Sequence, residues 1–180
     1  MAVTIKQTES APSSYPVIDG LSEAAAPFAD VAWQRIESYS AFRSTVRDVV
    51  WIVEGCGEWS PRLMPATIAT VEVWSRAGVW EACELPASPL GGYWLAASGP
   101  YRFTGSAGST PSPDVIPAAI KEAVRRLCEY MAARAGKQGA TRESVTAGSV
   151  NVSTSRSASW MAEALQNSGA ADLLRPYRRA

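Results

Sequence analysis

The sequence predicts an α+β protein, with a helical core, an inserted antiparallel sheet and extended arms at both ends. Three observations carry this. Residues 117–135 repeat apolar positions at helical spacing. Residues 46–105 hold β-branched and aromatic runs broken by Gly and Pro, with five of the seven tryptophans (Trp51, Trp59, Trp74, Trp80, Trp94). Residues 1–20 are Thr, Ser, Ala and Pro with little periodicity, and 170–180 end in a basic, aromatic, proline-bearing tail. The 180 residues suffice for a single domain with a real core, 1–180.

In order, residues 1–20 read as an N-terminal arm. Pro27 and Asp30 follow, and Asp30 suits an N-cap. About a dozen helical residues come next, with Trp33, Ile36 and Ser40 on one face. Val49–Val53 is a buried strand by its β-branched and aromatic content, ended by Gly55, Gly57 and Pro61. Ala69, Val71 and Val73 alternate with Thr70, Glu72 and Trp74, a half-buried strand. Ser75–Gly78 makes a hairpin loop into Val79–Leu85. Pro86, Pro89, Gly91 and Gly92 break the chain. Tyr93–Ala97 and Tyr101–Thr104 then flank the turn Ser98-Gly99-Pro100. The expectation is a sheet of four to five strands, followed by a loop over 105–114.

Pro117 is well placed to open a helix running to Ala135, with Gly136 as its stop. Ile120, Val124, Leu127 and Met131 form its core stripe, widened by Ala123 and Cys128. Lys121, Glu122, Arg125, Arg126 and Glu129 lie off the stripe, and Glu122→Arg126 has the favourable i,i+4 order. Residues 137–156 are Gly, Ser, Thr, Val and Asn, read as a flexible loop. A short amphipathic helix with Trp160, Met161, Ala164 and Leu165 stops at Gly169.

Composition closes several function classes. Lys+Arg and Asp+Glu are 17 each, so formal charge is zero and a general nucleic-acid binder is not expected. Histidine is absent, which excludes imidazole acid–base chemistry, His triads and His-ligated metals. Cys56, Cys83 and Cys128 show no CxxC spacing and read as free buried thiols. No signal-peptide pattern and no 18-residue apolar window occur, so no membrane role is expected. Gly105–Ser109 does not fit GxSxG. Glu54, Glu58, Glu72, Glu81 and Glu84 show no spacing that marks a carboxylate pair, and read as surface acids. The expectation is no enzyme, no cofactor and no metal. The tryptophans read as core, with a stacking platform for sugars or bases as the functional alternative and a subunit interface as a further place for some of them. Arg125, Arg126 and Lys121 read as a solvated flank, with inter-subunit ion pairing or a nucleic-acid path as the alternatives.

The tail carries the sharpest signal. Leu173, Leu174 and Tyr177 are apolar groups near a chain end. Asp172 gives one negative charge and Arg175, Arg178 and Arg179 three positive, leaving +2 on side chains over 172–180. Residues 170–180 read as a docking arm that orders on a partner. Together with 1–20 and 137–156, it is expected to gain structure only in an assembly.

The segment Val115-Ile-Pro-Ala-Ala-Ile-Lys-Glu-Ala-Val-Arg-Arg-Leu127 and the terminal Leu173-Leu174-Arg175-Pro176-Tyr177-Arg178 resemble head–tail connector adaptors of tailed bacteriophages and related gene transfer particles. The matching positions are Pro117, Ala118, Ile120, Ala123, Leu127 and Tyr130, then Leu173 to Arg178. They span about a third of the chain, in family order. The Trp-rich sheet is larger than in small adaptors, and the usual N-terminal helical lead-in is poorly visible.

That resemblance implies a structural neck protein, a homo-oligomeric ring of twelve copies under the portal vertex. Leu173, Leu174, Arg175, Pro176, Tyr177, Arg178 and Arg179 would bind the portal protein. The opposite face would receive the next neck or tail protein, such as a stopper. Genomic DNA would pass through without sequence-specific binding. The site is the virion neck, assembled in the bacterial host cytoplasm. Alternatives are another neck component, a stopper or tail terminator, or a Trp-platform carbohydrate-binding module.

Overall fold

A computed structural model describes residues 1–109, 116–133, 140–146, 151–156 and 159–178. The protein is α+β, with an antiparallel sheet and separate helices. It divides into two compact units, residues 1–16 with 41–115 and residues 17–40 with 116–178.

The first unit holds β1 (Val3–Glu9), β2 (Arg47–Glu54), β3 (Gly57–Trp59), β4 (Ala66–Trp74), β5 (Trp80–Ala82), β6 (Tyr93–Leu95) and β7 (Tyr101–Ala107). Five strands form one antiparallel sheet in the order β1-β2-β7-β4-β5, and β3 and β6 pair separately. Alternation on β2 buries Val49, Trp51 and Val53 completely. Trp51 lies opposite Phe103 on β7. Trp59 stacks on Phe103 with ring centroids 4.1 Å apart, and Trp51 meets Trp59 edge-on at 6.3 Å. At Gly105, where β7 faces a bulge in β4 between Ile68 and Thr70, a Cβ would collide with the Thr67 carbonyl.

Residues 3–9 are not a free arm. They are the edge strand β1, paired along β2. Buried indoles supply part of the reason: Trp51 Nε1 donates to Gln7 Oε1 at 3.0 Å and Trp59 Nε1 to Thr4 Oγ1 at 2.9 Å. Glu9 receives Arg43 at 2.6 and 2.9 Å. Burial pushes the Glu9 carboxyl up, but the bond and charge of Arg43, with the Gln7 hydrogen bond and the Arg47 charge, outweigh it and hold the carboxyl below the ordinary range. The sheet also departs from expectation in its limits. The strand after the hairpin covers only Trp80–Ala82, the first residues of the expected 105–114 loop belong to β7, and Gly57–Trp59 is a strand rather than a break.

The second unit holds α1 (Ala29–Tyr39), α2 (Ala118–Ala132), β8 (Ala140–Thr146), β9 (Asn151–Arg156), α3 (Ala164–Asn167) and α4 (Ala170–Leu173). Helices α1 and α4 pack on α2. Phe28, not Asp30, is the α1 N-cap; Asp30 lies in the first turn, where its charge favours the helix dipole. Trp33 and Ile36 are fully buried, and so are Ile120, Ala123, Val124, Leu127 and Cys128 on α2, with Met131 at 5% exposure. Pro117 is the N-cap rather than the first helical residue, and α2 ends at Ala132 with extended backbone at Ala133. Ala135 and Gly136 lie outside the described residues. Glu129 fastens the preceding loop to α2, accepting the Ser22 N–H at 2.8 Å and its hydroxyl at 2.9 Å.

Two further expectations are corrected here. Of the expected loop 137–156, residues 137–139 and 147–150 lie outside the described residues, and 140–146 and 151–156 are the paired antiparallel strands β8 and β9, with Thr146 opposite Asn151 and Val145 opposite Val152. Their Thr, Val and Ser content is compatible with strand as well as loop. Residues 159–163 form turns before a one-turn α3, so the amphipathic helix is shorter than its apolar pattern. Gly169 adopts φ 74°, the left-handed conformation that lets the chain turn from α3 into α4.

Candidate docking surface

The C-terminal segment is not an extended arm. Ala170–Leu173 is the helix α4 and Arg175–Tyr177 a 3-10 turn. Ala170 and Leu174 are fully buried, so part of the apolar content expected to serve a partner is used inside the chain. Leu173 and Tyr177 are half-buried. Arg175, Pro176 and Arg178 are exposed. Arg175 Nε lies 3.2 Å from Asp172 Oδ1, an exposed pair of little energetic weight. Arg179 lies outside the described residues.

Beside this segment an open groove of about 460 Å³ runs along α1, lined by Val31, Gln34, Arg35, Ser38, Tyr39 and Leu165. Arg35 is fixed at its side, donating to the Met161 carbonyl at 2.8 Å and the Ala162 carbonyl at 3.3 Å. Tyr39 links groove and tail: the Arg178 guanidinium sits 4.7 Å over its ring and donates to its hydroxyl at 3.3 Å. Arg178 thus adjoins a mixed apolar and polar groove. Of the groove lining, sequence reasoning named only Leu165. Val31 and Tyr39 fall off the Trp33–Ile36–Ser40 face, and the apolar Val31 outside that face was the available signal; in the structure it is 48% exposed.

The core stripe Ile120, Val124, Leu127 and Met131 is buried, so it offers no exposed surface. On the α2 flank, Glu122 accepts Arg125 twice at 2.8 Å and Arg126 at 2.8 Å. The hydrogen bonds of Arg125 and Arg126 hold its carboxyl at about 2. These arginines are therefore partly neutralised within the chain. Cys128 is buried and its thiol is pushed up to about 11, mainly by burial. Cys56, expected to be buried, is exposed.

The tryptophans divide between core and surface. Trp33, Trp51 and Trp59 are buried, whereas Trp74 and Trp94 are 43% and 47% exposed. Trp74 and Trp80 meet edge to face at 66°, with Arg102 over Trp80, so these two rings are not coplanar. Among the described residues no group of three His, Cys, Asp or Glu is placed to hold a metal, and no helix is long and apolar enough to cross a membrane.

No family model matches the chain, and no curated protein does. Solved structures do. The chain is similar to one in the virion of the native gene transfer agent particle, with a TM-score of 0.52 and 15% identity over 87% of this chain and 77% of that one. It is also similar to one in the neck of the empty gene transfer agent particle, computed with C6 symmetry, with a TM-score of 0.51 and 16% identity over 87% and 78%. The chain shares its fold with chains of the gene transfer agent virion and its neck.

Proposed function

We propose that this chain is a structural protein of a virion neck, forming a ring that joins the portal vertex of the capsid to the tail. The observation that carries this is the fold shared with gene transfer agent virion and neck chains across 87% of its length. The adaptor-like order of the 115–127 and 173–178 motifs supports the same reading. Twelve copies satisfy the six-fold symmetry with which the neighbouring neck was computed. DNA passes through the centre. Zero net charge suits a bore that must release it, because each phosphate contact adds salt-dependent affinity. Subunits assemble in the bacterial host cytoplasm, and the face away from the portal receives the next neck or tail protein.

The portal contact is assigned to Leu173, Arg175, Pro176, Tyr177, Arg178 and Arg179, with Leu174 anchoring them from within. Exposed arginines beside a half-buried tyrosine are suitable interface groups, since Arg and Tyr are enriched in interface cores. The test is co-expression with the portal protein followed by electron microscopy. Rings seated on the portal are expected from the intact chain. Triple substitution Arg175→Ala, Tyr177→Ala, Arg178→Ala should release them while leaving the chain folded. Undiminished portal rings from that variant would refute the assignment, and a chain that never joins the portal would refute the function.

A further inference from the structure

We infer that the β8–β9 hairpins of neighbouring copies pair edge to edge, closing an antiparallel barrel around the bore of the ring. The inference rests on the ring reading above and goes beyond it by naming a contact between copies. The starting observation is topological. Among the described residues β8 and β9 pair only with each other, in a two-stranded sheet. The outer edge of each strand is therefore left with backbone N–H and C=O groups that no described strand meets. A lone two-stranded hairpin is marginal in water, and its open edges are templates for another strand.

The sequence of the hairpin narrows the partner. Ala140-Thr-Arg-Glu-Ser-Val-Thr146 and Asn151-Val-Ser-Thr-Ser-Arg156 contain only Ala140, Val145 and Val152 as apolar residues. Such strands have little to gain by lying on an apolar surface. They contain no proline to block strand addition. What they offer a partner is backbone pairing, which is the currency of strand addition. Thr, Val and Ser tolerate that geometry without needing a core beneath them.

Rotational symmetry then supplies the partner. When a hairpin repeats around an axis, β9 of one copy comes beside β8 of the next. The two run antiparallel, as β8 and β9 already do within one copy. Every edge is satisfied when the circle closes, and closure is the device that removes sheet edges altogether. With strands about 4.8 Å apart and tilted about 40°, twelve hairpins would enclose a barrel about 50 Å across, of the kind that leaves an aqueous lumen. A strand sequence that is mostly polar suits a wall wetted on both faces.

Hydrogen exchange on the free chain and on portal-assembled rings tests this, together with photo-crosslinking from benzoylphenylalanine placed at Val145 or Val152. Amides of 140–146 and 151–156 are expected to exchange about 100-fold or more slowly in the ring than in the free chain. The crosslinker is expected to capture a second copy of this chain and to build a ladder of oligomers. Rings whose hairpin amides exchange as fast as in the free chain would overturn the barrel and leave the ring intact. So would crosslinks that run only to the portal or to a tail protein. If no rings form on the portal at all, the neck reading fails first and the barrel falls with it.

Discussion

Replacing Leu174 with alanine separates what the C-terminal segment does for its own chain from what it does for a partner. Leu174 is fully buried, although only six residues follow it. Truncation removes three carbon-sized groups from an apolar site, about 2.4 kcal/mol at about 0.8 kcal/mol each. A cavity left unfilled raises this toward the range of about 2–5 kcal/mol measured for such changes. We expect about 3 kcal/mol, which for a chain of this size lowers Tm by roughly 6–12 °C. Arg178→Ala is the control. It removes an exposed cation–π contact with Tyr39 at 4.7 Å, and should cost less than about 1 kcal/mol. Urea titration followed by circular dichroism and by tryptophan fluorescence measures both, with hydrogen exchange on α2 reporting the packed partner of α4. A Leu174→Ala variant within about 0.5 kcal/mol of the parent would refute internal anchoring. The segment would then behave as the free arm that its sequence suggests.

Leu127→Asp places an unpaired charge at a position with no exposure, and insoluble or unfolded protein is expected, checked by solubility and circular dichroism. Deleting residues 1–9 leaves the indoles of Trp51 and Trp59 without Gln7 and Thr4, and should lower the urea midpoint of the sheet unit by an amount worth at least about 2 kcal/mol. Glu122 is held at about 2 against an ordinary 4.5; its contribution is present above pH 4.5 and is lost as pH falls toward 2. The group is partly exposed, so the effect stays below about 1 kcal/mol. Glu122→Gln should remove that part of the acid slope in a stability–pH titration, and an unchanged slope would show that the pair contributes nothing.

The strongly periodic elements follow from local pattern alone. The i, i+4, i+7 stripe of α2 permits one buried face, and the β-branched run Val49–Val53 can hardly be solvated, so both follow from local pattern. The absence of histidine removed a whole class of chemistry without any structure. The candidate surface was half legible: the tail announced itself through its arginines and Tyr177, but the groove lining on α1 did not. Tertiary structure decided the rest. Val3–Glu9 looks like an arm until β2, some forty residues away, offers an edge and two indoles that need acceptors. Residues 137–156 look like a loop because few of them are apolar, and the pairing of 140–146 with 151–156 leaves little trace in composition. Leu174 looks the same in sequence whether its own helices or another protein will cover it. Only the packing of α4 on α2 assigns it to this chain, because burial is a property of the surroundings and not of the residue.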